Sequence, residues 1–141
     1  MTQQTGAPFR ISQSADTQNN DSVGAARPDL ASGRAISVPN PGPSLWFNTA
    51  AFTASVFHYG NTPRNPVVGP GLHTFDLSLG KQFKMPYGER HVLQFRTEFF
   101  NGFNTPQFAN PGSTQGTGSF GRVTSTNVSN RQIQFGLRYA F

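Results

Sequence analysis

The sequence predicts an all-β chain: an antiparallel meander of about three to four amphipathic strands that forms the end of a transmembrane β-barrel, with long loops. Three observations carry that expectation. Apolar side chains recur at every second position in three segments, about 72–84, 91–101 and 131–141, and a period of two marks a strand with one apolar and one polar face. No apolar run approaches the roughly eighteen residues that a membrane helix requires. Fourteen phenylalanines, against one tryptophan and three tyrosines, lie among glycine, proline, serine, threonine and asparagine, a mixture that suits short strands better than helices.

Residues 1–70 are expected to be a mostly irregular, extracellular-loop region. Prolines 39, 41 and 43 forbid a regular ladder there. Its main apolar cluster, Trp46-Phe-Asn-Thr-Ala-Ala-Phe52, fits either a short helical turn or a loop anchor, with loop anchor preferred. Seventy such residues would sit poorly in a compact soluble domain, whereas the outer loops of a barrel are long.

Residues 71–141 are expected to hold the last barrel strands. In 72–84, Phe75, Leu77, Leu79 and Phe83 alternate with Asp76, Ser78, Gly80 and Gln82. Lys84-Met-Pro-Tyr-Gly-Glu-Arg90 then reads as a tight reversal, because Pro86 presets a turn and Gly88 accepts positive φ. In 91–101, Leu93, Phe95 and Phe99 oppose Gln94, Arg96 and Glu98. Residues 102–130 form an outer loop. The last segment sets Ile133, Phe135, Leu137, Tyr139 and Phe141 against Gln132, Gln134, Gly136, Arg138 and Ala140. Eleven residues at roughly 3.3 Å each, tilted near 40°, span about 28 Å, close to the ~25 Å apolar band of a barrel.

Parity joins the three strands. Their apolar residues are mainly odd-numbered, and an antiparallel hairpin keeps one face when paired numbers sum to an even value. Ile133, Phe135, Leu137, Tyr139 and Phe141 are therefore expected to face lipid, and Arg96, Glu98 and Arg138 to be lumen-facing charges, with Glu98 pairing to Arg96 or Arg138. Lys81 and Thr97 interrupt the apolar face, and Val92 and Phe100 the polar one. The Lys81 stem can run over the apolar face and lift its ammonium to the interface. The short turn at 85–90 and the long loop at 102–130 give direction, since periplasmic turns are short and outer loops long. That places the carboxyl end in the periplasm, with Phe83, Tyr139 and Phe141 at one rim and Phe75, Phe99 and Phe103 at the other, an aromatic girdle.

Composition excludes several functions. The absence of cysteine removes disulfides, thiolate metal sites and cysteine nucleophiles. A net charge of +5 suggests nucleic acid, but the eleven basic residues are spread singly, so no nucleic-acid partner is expected. His58, His73 and His91 lie fifteen and eighteen residues apart with no carboxylate in a metal-like spacing, and read as solvated or rim residues. No catalytic, cofactor-binding or metal site is expected, and the chain is not expected to be an enzyme. The glycines lack the following Gly-Lys-Ser/Thr of a phosphate loop, and Asn20-Asp-Ser22 and Asn127-Val-Ser129 match a glycosylation triplet too short to inform. Any ligand contact falls to the loop 105–130 and the Trp46–Phe52 patch, as binding residues concentrate on loops held by rigid scaffolds.

Gly60-Asn-Thr-Pro-Arg-Asn65, Gly69-Pro-Gly71, Phe75-Asp-Leu-Ser-Leu79, Gln94-Phe-Arg-Thr-Glu-Phe-Phe-Asn101, Phe103-Asn104 and Arg131-Gln-Ile-Gln-Phe135 together resemble the carboxyl end of Oar-like TonB-dependent receptors, over residues 5–141 and most strongly over 60–141. The resemblance implies an outer-membrane barrel of about 22 strands, with an amino-terminal plug engaged by TonB to drive import. It also implies a final strand read by the barrel-assembly machinery. The implied partners are outer-membrane lipid, the remainder of the barrel, that machinery, and TonB only through an amino-terminal region not present in this sequence. Plug, TonB-contacting box and signal peptide are all lacking here, so the chain is expected to be a fragment, not competent for transport alone. The rival expectation is a soluble β-sandwich binding module, whose apolar strand face would be covered by a second sheet.

Overall fold

A computed structural model describes residues 1–17, 26–86 and 91–141. The strands among them are β1 (Thr2–Gln4), β2 (Pro8–Phe9), β3 (Ser12–Gln13), β4 (Asp29–Leu30), β5 (Phe52–Thr53), β6 (Val67–Val68), β7 (Leu72–Thr74), β8 (Leu77–Lys84), β9 (Val92–Phe100), β10 (Thr114–Gln115) and β11 (Gln132–Ala140), with one 3-10 turn at Thr49–Ala51. The chain is all-β, and its three long strands form an antiparallel meander in the order β11-β9-β8. The chain divides into two compact units, Met1–Gln4 with Leu72–Gln107 and Val128–Phe141, which holds all three long strands, and Thr5–Gly71 with Phe108–Asn127. These units cross the division expected at residue 70. Residues 1–4 join the sheet unit because β1 pairs with β7, and most of the loop 102–130 joins the other unit because β10 pairs with β3.

In the sheet unit the register is continuous. Leu77 pairs with Phe99 and Lys84 with Val92, while Ile133 pairs with Phe99 and Ala140 with Val92. Every partner shares the parity of its neighbour, so odd-numbered residues of all three strands occupy one face. The hairpin closes with the Met85 N–H donating to the His91 carbonyl at 2.9 Å. The turn role assigned to Gly88 lies outside the described residues, as do Glu89 and the triplet at Asn20.

The strand expected over 72–84 is two strands. At Asp76 the carboxylate accepts the Asn101 backbone N–H at 2.9 Å, and the Gly102 N–H donates to the Phe75 carbonyl at 2.7 Å. Those bonds replace ladder pairing, and β7 turns aside to β1. The Gln107 side chain then serves β7 as a strand neighbour would, accepting from the His73 N–H and donating to the His73 carbonyl, each at 2.6 Å. The end of β9 is closed by asparagines. Asn101 and Asn104 both have positive φ, a conformation asparagine tolerates better than most residues. The buried Asn101 amide donates to the Thr105 and Ser129 carbonyls, and Asn104 Oδ1 accepts the Arg131 N–H at 3.0 Å. The asparagines of the family-like motif thus tie together the two ends of the connection between β9 and β11.

The second unit is mostly irregular but has its own core. Ile11, Phe47, Ala51, Phe52 and Val67 are buried, with Phe9, Leu30, Ile36, Trp46 and Phe120 packed against them. Edge-on aromatic pairs join Phe47 to Phe52 and Phe120, at centroid distances of 5.7 and 5.1 Å, a geometry that adds roughly 0.5–1.5 kcal/mol per pair beyond burial. The Trp46–Phe52 patch is both things its sequence allowed. Asn48 caps a 3-10 turn by accepting the Ala50 N–H, and Phe47, Ala51 and Phe52 anchor that turn in the core. Polar side chains do the work of a ladder elsewhere. Buried Gln13 accepts from the Ser55 N–H and Oγ, each at 3.1 Å, and donates to Ala15 and Thr17.

Candidate functional site

The sheet has two chemically distinct faces, and its register builds both. On the odd-numbered face, four rows cross the strands: Phe83–Leu93–Tyr139, Lys81–Phe95–Leu137, Leu79–Thr97–Phe135 and Leu77–Phe99–Ile133. Most of these apolar side chains are exposed, Phe135 to 69% and Leu137 to 70%. Phe95 and Phe135 stack across the strands with centroids 6.3 Å apart. The two blemishes on this face have different outcomes. Lys81 Nζ lies 5.2 Å above the Phe83 ring, its stem lying along the apolar face towards the hairpin end. Thr97, at the centre of the face, is buried, and its hydroxyl has no hydrogen-bond partner among the described residues.

Aromatic groups mark both ends of the sheet. At the hairpin end His91 Nδ1 and the Tyr139 hydroxyl are 2.7 Å apart, and Tyr139 packs on Phe141 at 6.0 Å. At the opposite end Phe75 packs on Phe103 at 4.8 Å. These are the positions at which the sequence places two aromatic rims.

The even-numbered face is polar. Its middle rows are Gln82–Gln94–Arg138, Gly80–Arg96–Gly136 and Ser78–Glu98–Gln134, and the apolar Val92 and Phe100 fall in its end rows, Lys84–Val92–Ala140 and Phe100–Gln132. Arg96 Nη2 meets Glu98 Oε1 at 2.5 Å, and Arg96 Nε donates to Ser78 Oγ at 3.4 Å. Glycines on both sides of Arg96 leave its guanidinium room to reach these partners. Of the three charges singled out in the sequence, Arg96 and Glu98 come together, while Arg138 stands opposite Gln94. The face is a polar strip with one ion pair, suited to contact with water or a polar solute.

Sequence reasoning missed a contact in the second unit. His58, read as solvated, meets Asp29, with His58 Nε2 and Asp29 Oδ2 2.6 Å apart and His58 Nδ1 2.7 Å from the Val56 carbonyl. The bond to Asp29, then the Val56 carbonyl, then the charge of Asp29 hold the His58 pKa above its ordinary 6.5. Asp29 Oδ1 also accepts the Asn61 N–H, and Asn61 Oδ1 accepts the Leu30 N–H, so the dyad closes the base of the 55–61 loop. Twenty-nine residues separate the partners, and no local spacing announces the pair.

Residues 1–134 match the family model described as outer membrane beta barrel domain. No curated protein and no solved structure matches the chain.

Proposed function

The chain belongs to the outer membrane beta barrel domain family, and from that premise we propose that it is the carboxyl-terminal wall segment of a TonB-dependent receptor and transporter. In this reading the odd-numbered face, with Ile133, Phe135, Leu137, Tyr139 and Phe141, meets lipid, and the even-numbered face, with Arg96, Glu98 and Arg138, lines the lumen. The carrying observation is the continuous, exposed apolar face across three registered strands. Such area in water would be a liability, whereas lipid outside and water inside require this alternation.

The nine residues of β11 rise roughly 30 Å and, tilted near 40°, span about 23 Å, close to the apolar band of a barrel wall. The outer edges of β8 and β11 pair with no further strand among the described residues. An open edge in lipid costs several kcal/mol per unsatisfied group, so these edges call for neighbouring strands, and the chain acts as part of a longer barrel rather than alone. The role is non-enzymatic. Its partners are outer-membrane lipid, the remaining strands, the barrel-assembly machinery reading β11, and TonB through a plug elsewhere in the protein. The second unit and its Trp46–Phe52 patch belong with the extracellular loops.

Single cysteines test the face assignment cleanly, because the chain has none of its own. In proteoliposomes, cysteines at 135 and 137 should be shielded from a water-soluble maleimide and reached by a lipid-borne spin quencher, whereas those at 134 and 138 should behave oppositely. Shielding at 135 and 137 in detergent-free, monodisperse protein would instead establish the soluble β-sandwich.

A further inference from the structure

The polar face of the sheet ends in an aromatic ring. Phe100, an apolar interruption of that face, lines a pocket of about 390 Å³ together with Leu72, Thr74, Asp76, Val128 and Gln132. All of these residues lie in the sheet unit, and the volume falls within the roughly 300–1,000 Å³ of small-ligand sites. Apolar side chains therefore share one space with a hydroxyl, an amide and a carboxylate.

Strand pairing and side-chain bonds hold the walls. β1 pairs with β7 so that Thr2 stands opposite Thr74. The buried Asn101 amide donates to the Ser129 carbonyl at 3.3 Å and so fixes the chain that enters β11. Leu77 pairs with Phe99, so a continued register would set Asp76 opposite Phe100. Instead one Asp76 carboxylate oxygen accepts the Asn101 N–H at 2.9 Å, and the other takes no hydrogen bond among the described residues. The Thr74 and Gln132 side chains are likewise unengaged among the described residues.

We propose that this pocket binds a small primary-ammonium ligand with an apolar body. The Asp76 carboxylate supplies the negative charge, and its second oxygen accepts a charge-assisted N–H bond. A primary ammonium carries three N–H donors, for which the Thr74 hydroxyl and the Gln132 amide oxygen are further acceptors. An aromatic face attracts a cation electrostatically, and Leu72, Val128 and the Phe100 ring receive the apolar remainder. A neutral ligand of the same shape gains the apolar contact alone. The pocket is built within one unit, so the inference does not depend on any part in import.

The test follows the Asn101 and Gln132 amide resonances of the full chain in zwitterionic micelles during titration with benzylammonium, benzyl alcohol and benzyltrimethylammonium. Benzylammonium should bind at least about tenfold more tightly than benzyl alcohol, with benzyltrimethylammonium, charged but lacking N–H donors, between them. Asp76→Asn keeps an oxygen for the Asn101 N–H and removes the charge. It should weaken benzylammonium about tenfold and leave benzyl alcohol unchanged. Phe100→Leu keeps the apolar contact and removes the ring, so it should weaken benzylammonium more than the alcohol. Should the Asp76 variant not fold, the order of the three probes on the parent decides. Equal binding of benzylammonium and benzyl alcohol, a quaternary probe bound as tightly as the primary one, equal losses of amine and alcohol in Asp76→Asn, or no saturable shift overturns the inference.

Discussion

The sheet and the second unit use the same residue types in opposite directions. In the sheet, phenylalanine and leucine point away from the chain, and Phe135 and Leu137 are more than two-thirds exposed. In the second unit Phe47 and Phe52 turn inward, Phe47 being 1% exposed, and Phe57 is the exception at 83%. Hydrogen bonding differs too, with a regular backbone ladder across three strands in one and side-chain amides and hydroxyls in place of a ladder in the other. The same residue types thus serve an exposed sheet face in one unit and a buried core in the other. A mean composition of 35% hydrophobic residues hides this, because an exposed sheet face and a buried core both consume apolar side chains.

Four tests break or sharpen that contrast, from the largest effect to the smallest. Phe47→Ala removes the centre of the aromatic cluster and should cost the second unit about 3–5 kcal/mol, read as an earlier urea transition of Trp46 emission. Leu137→Arg, in the complete barrel protein, should cost roughly 2–4 kcal/mol on refolding into bilayers if Leu137 lies near the midplane, while Gln134→Arg should cost little. Equal costs at the two positions would dissolve the distinction between faces.

The third concerns pH. The raised folded pKa of His58 means that its contribution to the second unit is fully present below the unfolded value of about 6.5 and is lost as pH rises through the folded one. The Trp46 urea midpoint should therefore fall between about pH 5.5 and pH 8 by more in the parent than in His58→Ala; identical falls would show that the dyad with Asp29 is energetically silent. The smallest effect is expected at Thr97, whose buried hydroxyl has no partner among the described residues. Thr97→Val keeps the shape and removes the orphan, so stability should hold or rise slightly; a loss above about 1 kcal/mol would reveal a partner for the hydroxyl.

Strand existence, boundaries to within a residue at most ends, and the shared parity of the three long strands were legible in sequence. So was the Arg96–Glu98 pair, as one of two partners weighed for Glu98, because residues two apart on a strand share a face. The break at Phe75 and Asp76 was not legible, since the alternation continues through it and pairing is interrupted by the capture of the Asn101 N–H by Asp76 and of the Gly102 N–H by the Phe75 carbonyl. The second unit read as loops for a related reason. Its strands are two residues long, too short for any period to register.

What the sequence determined by itself is the alternation and therefore the two faces of the sheet, because side-chain direction along a strand is a local, two-residue property of the backbone. Only the tertiary structure decided which distant residues meet: β1 on β7, Phe120 on Phe47, and Asp29 on His58. Such contacts are set by chain closure over tens of residues, and closure leaves no periodic trace in the residues it joins.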